Sequence, residues 1–475
     1  MKPGRYLIQS TLNTNGSIFL RKRIIPVWIF AMMAIQVSSQ EKKFNHLTIQ
    51  DGLSQNTINC IYQDSFGFMW FGTQDGLNRY DGYGFTTFRH EPHDSNSLSH
   101  SWVWDIFEDS RQNLWIATWE GLNRYDPSAD YFYRYLPDPS SPNKLHGGRP
   151  TSICEDRQGY VWVATWGGGL SCYDPESGNF RTFRHDPENP ESIPGDLVRT
   201  LHYDRDGILW IGTWNGLASC RPDSMVPTAM TIYAQDPGQS AGPGSNQITA
   251  LYKDRHGALW IGTLGGGLCA LDPGREDLRT YQHDPSDPRS IISNEISAIY
   301  ETSSGELWIG TVSSGLNILN RSDQSFDRYV HDPDREYSLG SNNIFSIRED
   351  ASGLIYVGAG GINIYNPQME NFRHITYEPG QSGGISDKSI VAFYEDRNGF
   401  IWIGTGAGGL NRYDPVRNSF KVFRHHPSIP HSLNHNNVSS IAGDSNGFIW
   451  IGTRGGGLDR LDPETGIFKH YMSGN

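Results

Sequence analysis

Trp119, Trp166 and Trp214 occupy the same place in three successive segments of one form, Trp-Ile-Ala-Thr-Trp, Trp-Val-Ala-Thr-Trp and Trp-Ile-Gly-Thr-Trp. A broad ring on a loop is costly to leave in water, so three of them in consecutive segments suggest a platform on which sugar rings stack. Trp102 reaches the same mouth in this reading, whereas Trp104 is expected to pack between neighbouring units. Glu120 and Asn215 each adjoin one of these tryptophans and are the polar partners a polyhydroxylated ligand would meet. The competing reading is that the same rings only pack against a neighbouring loop.

Other groupings lack the context their chemistry needs. Gly238-Gln-Ser240-Ala-Gly242 and Gly380-Gln-Ser382-Gly-Gly384 have the G-x-S-x-G form, but no helix follows either one to lift the serine into an oxyanion hole. Gly404-Thr-Gly406-Ala-Gly-Gly409 has the G-x-G-x-x-G form and lies between two strands, with no helix N-terminus for a phosphate. Asp204-Arg-Asp206-Gly207 opens like a calcium loop, but a strand at Leu209-Trp210 takes the place of its remaining ligands. His90, His185, His283, His331 and His425 recur at one loop position, which points to a hydrogen bond that pins the loop. Five cysteines (60, 154, 172, 220 and 269) form no C-x-x-C and are odd in number, so they read as buried filler. No pair of carboxylates stands outside the repeated positions, as a glycosidase would require. No catalytic residue, metal site or cofactor is assigned.

A repeat must position these residues. Asp-x-x-Gly-x-x-Trp-x-Gly-Thr followed by Gly-Leu-x-x-Tyr-Asp first appears as Asp64, Gly67, Trp70, Gly72, Thr73, Gly76, Leu77, Tyr80 and Asp81. Its Trp returns at 115, 162, 210, 260, 308, 402 and 450, with Tyr356 in the one gap, giving nine copies 45 to 50 residues apart. Each copy divides into four short strands. An apolar strand a leads to the Asp-x-x-Gly turn, strand b carries the Trp, strand c begins Gly-Leu, and strand d is an aromatic run. The predicted fold is therefore all-β, a β-propeller of nine four-stranded blades. The b–c turns and d–a loops emerge together around the mouth of the central channel, which is where the three tryptophans fall.

Phe44–Ile49 reads as an orphan outer strand, able to complete a last blade so that no edge stays unpaired. The seventh copy is the most degenerate, with Tyr356 and Ala359 in place of Trp and Thr. The expected organisation is a seven-bladed ring over residues 40–371 and two blades of a second ring over 372–475. The alternative is one nine-blade array.

Residues 1–39 hold Lys2, Arg5, Arg21, Lys22 and Arg23, no acid, and an apolar run from Ile24 to Val37. This is the form of a signal peptide, or alternatively of an N-terminal anchor, and implies a periplasmic or extracellular protein. Any membrane contact within the chain rests on that segment. The net charge of −13 becomes −18 without it, 34 cations against 52 acids. So acidic a body repels phosphate backbones, and no nucleic-acid partner is expected. Neutral ligands are not disfavoured.

The nine copies resemble the repeats of the two-component regulator propeller family, over roughly residues 41–475. The resemblance implies the periplasmic sensor half of a hybrid two-component histidine kinase. In the family, two seven-bladed rings precede a β-sandwich, a membrane helix, a kinase core and a DNA-binding regulator. This chain stops after the ninth copy, and nothing in it resembles a kinase, a receiver or a helix-turn-helix. The function expected is ligand sensing without catalysis, with an oligosaccharide as ligand and a second ring or a homodimer mate carrying the signal. The alternatives are an exported polysaccharide lyase or glycosidase and a protein-binding scaffold.

Overall fold

A computed structural model describes residues 42–233, 244–274, 278–371, 375, 377 and 384–472. The N-terminal segment read as a signal peptide or anchor, the first G-x-S-x-G and most of the second lie outside the described residues. Among the described residues there is no α-helix. The chain forms nine four-stranded antiparallel sheets, one for each copy of the repeat.

Blade two shows how a copy folds. Its strands are Val103–Glu108, Leu114–Thr118, Leu122–Asp126 and Tyr131–Tyr135, hydrogen-bonded in that order. Strand b is buried along its whole length, as the near-continuous apolar sequence demands. The Asp ending strand a does more than turn the chain. In blade two, Asp109 Oδ1 accepts from the amides of Arg111 and Asn113, and its Oδ2 accepts from the Trp115 indole. A buried indole N–H needs an acceptor, and an Asp six residues earlier provides it at 2.7–2.9 Å in seven blades. Tyr356 keeps the device in blade seven through its hydroxyl to Asp350. Blade six, where Thr302 replaces the Asp, draws on Glu306 for Trp308 instead. The turn also needs a left-handed residue, supplied by Gly67 at φ 93° and by Gln112 at 63° in blade two.

The recurring histidines do pin their loops. His90, His185, His283, His331 and His425 each direct Nδ1 to the carbonyl eight residues on, at 2.6–2.9 Å. The five cysteines are buried and unpaired. The calcium-like Asp204 and Asp206 both take Lys253 Nζ from the next blade, at 2.7 and 2.6 Å, so a side chain supplies the cation there.

Blades pack face to face. The Trp of one meets strand a of the next, as Trp70 meets Val103 and Ile106, and Trp162 meets Val198 and Leu201. Phe44–Leu47 pairs antiparallel with Ile362–Tyr365 and becomes the fourth strand of blade seven. Blade seven in turn packs against blade one, where Tyr356 joins Ile58, Ile61 and Phe71. The Gly361 amide reaches the Asn56 carbonyl (2.8 Å), and Gln63 accepts from the Ala351 amide (2.7 Å). Contacts thus run from blade one through blade seven and back to blade one. Blades eight and nine pack on each other through Trp402, Val438, Ile449 and Ile451.

Candidate functional site

Strand a carries a one-residue irregularity near its start in eight blades, which frees one residue from the ladder and re-aims the side chain. In four blades that residue is small and polar and ties one blade to the next. Asn59 donates to the Val103 carbonyl (2.8 Å), Thr151 to Val198 (2.9 Å), Thr249 to Ile296 (2.5 Å) and Ser297 to Ile344. Blade eight has the apolar Val391 there and Ser439 of blade nine bonds within its own blade, whereas blades two and four place the large Trp104 and Arg199 at this position.

Trp104 lies in an aromatic cluster. Its ring is 5.6 Å from Trp102 and 6.2 Å from Trp119, the latter at an interplanar angle of 17°, and Trp102 is 5.0 Å from Trp119. The turn is held by the Trp119 amide donating to the Trp102 carbonyl at 3.0 Å. Two guanidiniums lie over these rings, Arg149 at 3.4 Å from the Trp119 centroid and Arg199 at 5.1 Å from that of Trp104. Neither donates a hydrogen bond to a protein acceptor among the described residues. The indole N–H groups of Trp102 and Trp104 are buried and equally without acceptors.

Asp105, next along strand a, accepts from the Ile153 amide (2.8 Å) and from its own neighbour Ile106 (2.9 Å). Burial pushes its carboxyl up to about 6, against the pull of those amides, the Ser152 hydroxyl and the Arg199 charge. Burial likewise lowers the Arg199 guanidinium, with the Asp105 charge opposing.

The tryptophans read from the sequence fall into two groups rather than one arc. Trp119 joins Trp102, whereas Trp166 and Trp214 meet edge to face at 4.7 Å. Arg149 links them, since its backbone pairs with Trp166 while its guanidinium covers Trp119. Trp104 both packs toward the interface of blades two and three, as expected, and joins the cluster. Glu120 is exposed on the turn beside Trp119. The Asn215 amide bonds Thr213 Oγ1, and its exposed side chain lies over Gly195. Sequence reasoning missed Arg149, Arg199 and Asp105. The signal for Arg199 was present: it stands where other blades have Asn59, Thr151, Thr249 or Ser297.

The two component regulator propeller family matches the chain at residues 52–75, 97–120, 144–167, 192–215, 242–265, 290–313, 384–407 and 432–455. A curated relative, histidine kinase P4 of Formosa agariphila, is 41% identical over 78 residues, which are 16% of this chain and 6% of that kinase. Among solved structures, an extracellular domain described as part of a hybrid two component system of B. thetaiotaomicron aligns with a TM-score of 0.61 at 24% identity. That alignment covers 91% of this chain and 67% of the other. A second such domain from the same organism gives 0.55 at 22% identity, covering 91% and 54%. At these identities the two structures speak for the fold.

Proposed function

We propose, from the premise that this chain belongs to the two component regulator propeller family, that it is the exported, ligand-sensing propeller of a two-component system. Its ligand is a carbohydrate, bound at the mouth of blades two to four. One observation carries this reading: the departures that place a tryptophan on the b–c turn or at the start of strand a gather in that one sector. Trp102, Trp104, Trp119, Arg149, Trp166, Arg199 and Trp214 all lie between residues 102 and 214, and none is needed by a blade, because other blades fold with different residues there. Aromatic rings at a mouth beside hydrogen-bonding groups match the needs of a sugar, which offers both an apolar ring face and hydroxyls.

Binding rather than catalysis is supported by where the carboxylates go. The repeated aspartates are occupied by turn amides and indoles, and Asp105 by two amides. Residues 40–371 serve as one ring and residues 372–475 begin a second. The packing of blade seven on blade one and the separate pairing of blades eight and nine support that division. The signal passes through the second ring or a dimer mate, which requires only that the ligand favour one of two arrangements.

A thermal-shift screen against an oligosaccharide panel tests the reading. The stabilising response is expected to vanish in Trp119→Ala and in Trp166→Ala. Unchanged responses in both variants would move the site elsewhere, and release of shortened products from the panel would turn the assignment toward an enzyme.

A further inference from the structure

The mouth is rich in donors and poor in free acceptors. Arg149 and Arg199 each present five N–H donors and bond none of them to an acceptor among the described residues, and the buried Trp102 and Trp104 indoles lack acceptors there as well. Two acidic groups stand nearby. Asp105 is spent on the Ile153 and Ile106 amides, and Glu120 points into solvent on the turn. Two rings of the aromatic cluster, Trp119 and Trp104, therefore each carry a cation with unused hydrogen-bonding capacity. A half-buried donor such as the Arg199 guanidinium is ordinarily matched, and a guanidinium, buried or exposed, is matched best by the paired oxygens of an anion.

We propose that the sugar recognised at this mouth bears an anionic group, a carboxylate or a sulfate ester, and that Arg149 and Arg199 bind that group while the sugar ring stacks on Trp119. The proposal rests on the carbohydrate reading above and sharpens it. Arg149 is exposed and now covers the Trp119 ring, so it swings aside to make room for the sugar and keeps its charge at the rim. Arg199 is anchored in strand a of blade four (Val198–Tyr203) and keeps its place over Trp104. A neutral sugar would offer the guanidiniums only hydroxyl acceptors, without the charge-assisted, paired hydrogen bonds of an anion.

The test is isothermal titration of the purified chain with tetrasaccharides of a polyuronic acid, their carboxyl-reduced neutral forms, and sulfated derivatives of those neutral forms. The charged ligands are expected to bind at least about tenfold tighter than the neutral one, with the gap narrowing as salt is added. Preference for the uronate over the sulfate ester, or the reverse, identifies the anion. Arg149→Ala and Arg199→Met are expected to reduce the charged ligands to the affinity of the neutral form. Arg149 is exposed, so its variant reports on recognition even if Arg199→Met disturbs folding. Equal affinity for charged and neutral ligands, or a preference that survives Arg149→Ala, would overturn the anionic assignment and leave the carbohydrate reading standing. Failure of the wild-type chain to bind any of the three would remove both.

Discussion

Blades one to seven and blades eight and nine are built from the same repeat, yet equivalent side chains meet different surroundings. The first residue of strand a is fully buried in blade one (Ile58, 1%) and blade six (Ile296, 0%), but Ile390 of blade eight is 36% exposed. Three residues on, Ile61 and Ile106 are 6% and 3% exposed, whereas Phe393 is 67% exposed. The other flank of the pair shows the same effect. Trp402 of blade eight is buried under blade nine, and Trp450 of blade nine is half-buried although its indole still reaches Asp444 at 2.8 Å. A blade therefore completes its own turns and hydrogen bonds but depends on neighbours to bury its faces, as expected of units that form a continuous core only when stacked.

Removing the repeated tryptophan should expose this difference most sharply. Trp162, completely buried between blades three and four, is expected to cost about 3–5 kcal/mol on replacement by Ala, since a large cavity opens and Asp156 loses its indole partner. Trp450→Ala should cost clearly less, because that ring is only half-buried. Urea denaturation of both variants decides the matter, and equal losses would mean that blade nine is covered in solution. A strand-a pair gives a smaller contrast. Ile106→Ser is expected to lose about 2–4 kcal/mol, and Phe393→Ser to stay within about 0.5 kcal/mol of the parent. If Phe393→Ser also lowers self-association in analytical ultracentrifugation, the open flank of blade eight is sticky in solution.

Periodicity made the blades legible because nine copies repeat the same instruction. Asp, Gly, Trp and the loop histidine recur at fixed spacing, and their shared geometry follows from short-range contacts within one copy. The six-residue step from Asp to Trp showed only as a pattern, and the indole bond behind it needed coordinates. Contacts between copies were harder to read. Lys253 reaches back to Asp204 and Asp206, and Arg149 reaches across to Trp119, along directions that no sequence period sets. The site was legible to the extent that turn tryptophans stood out against the repeat. Arg199 went unread, and Trp104 was read only as packing between blades, because a one-residue irregularity in strand a, not a hydrophobic period, aims them.

The smallest contrast lies at the last residue of strand a, on the face opposite the tryptophans. Glu155 of blade three caps the preceding a–b turn, accepting from the Ser110 amide at 2.8 Å and the Ser110 hydroxyl at 2.7 Å. Glu108 does the same for Ser65, and Gln63 for Ala351 where blade one meets blade seven. Glu395 occupies this position in blade eight and is exposed. Glu155→Gln keeps one acceptor and turns an amide N–H₂ toward a donor, so it should cost about 1 kcal/mol. Glu395→Gln should be neutral within about 0.5 kcal/mol, the range of an uninvolved surface change. If blades eight and nine unfold in a transition of their own, neither variant should move the other's midpoint. A loss in Glu395→Gln comparable to that in Glu155→Gln would mean that blade eight has a neighbour in solution, and that the two regions differ less than their exposed faces suggest.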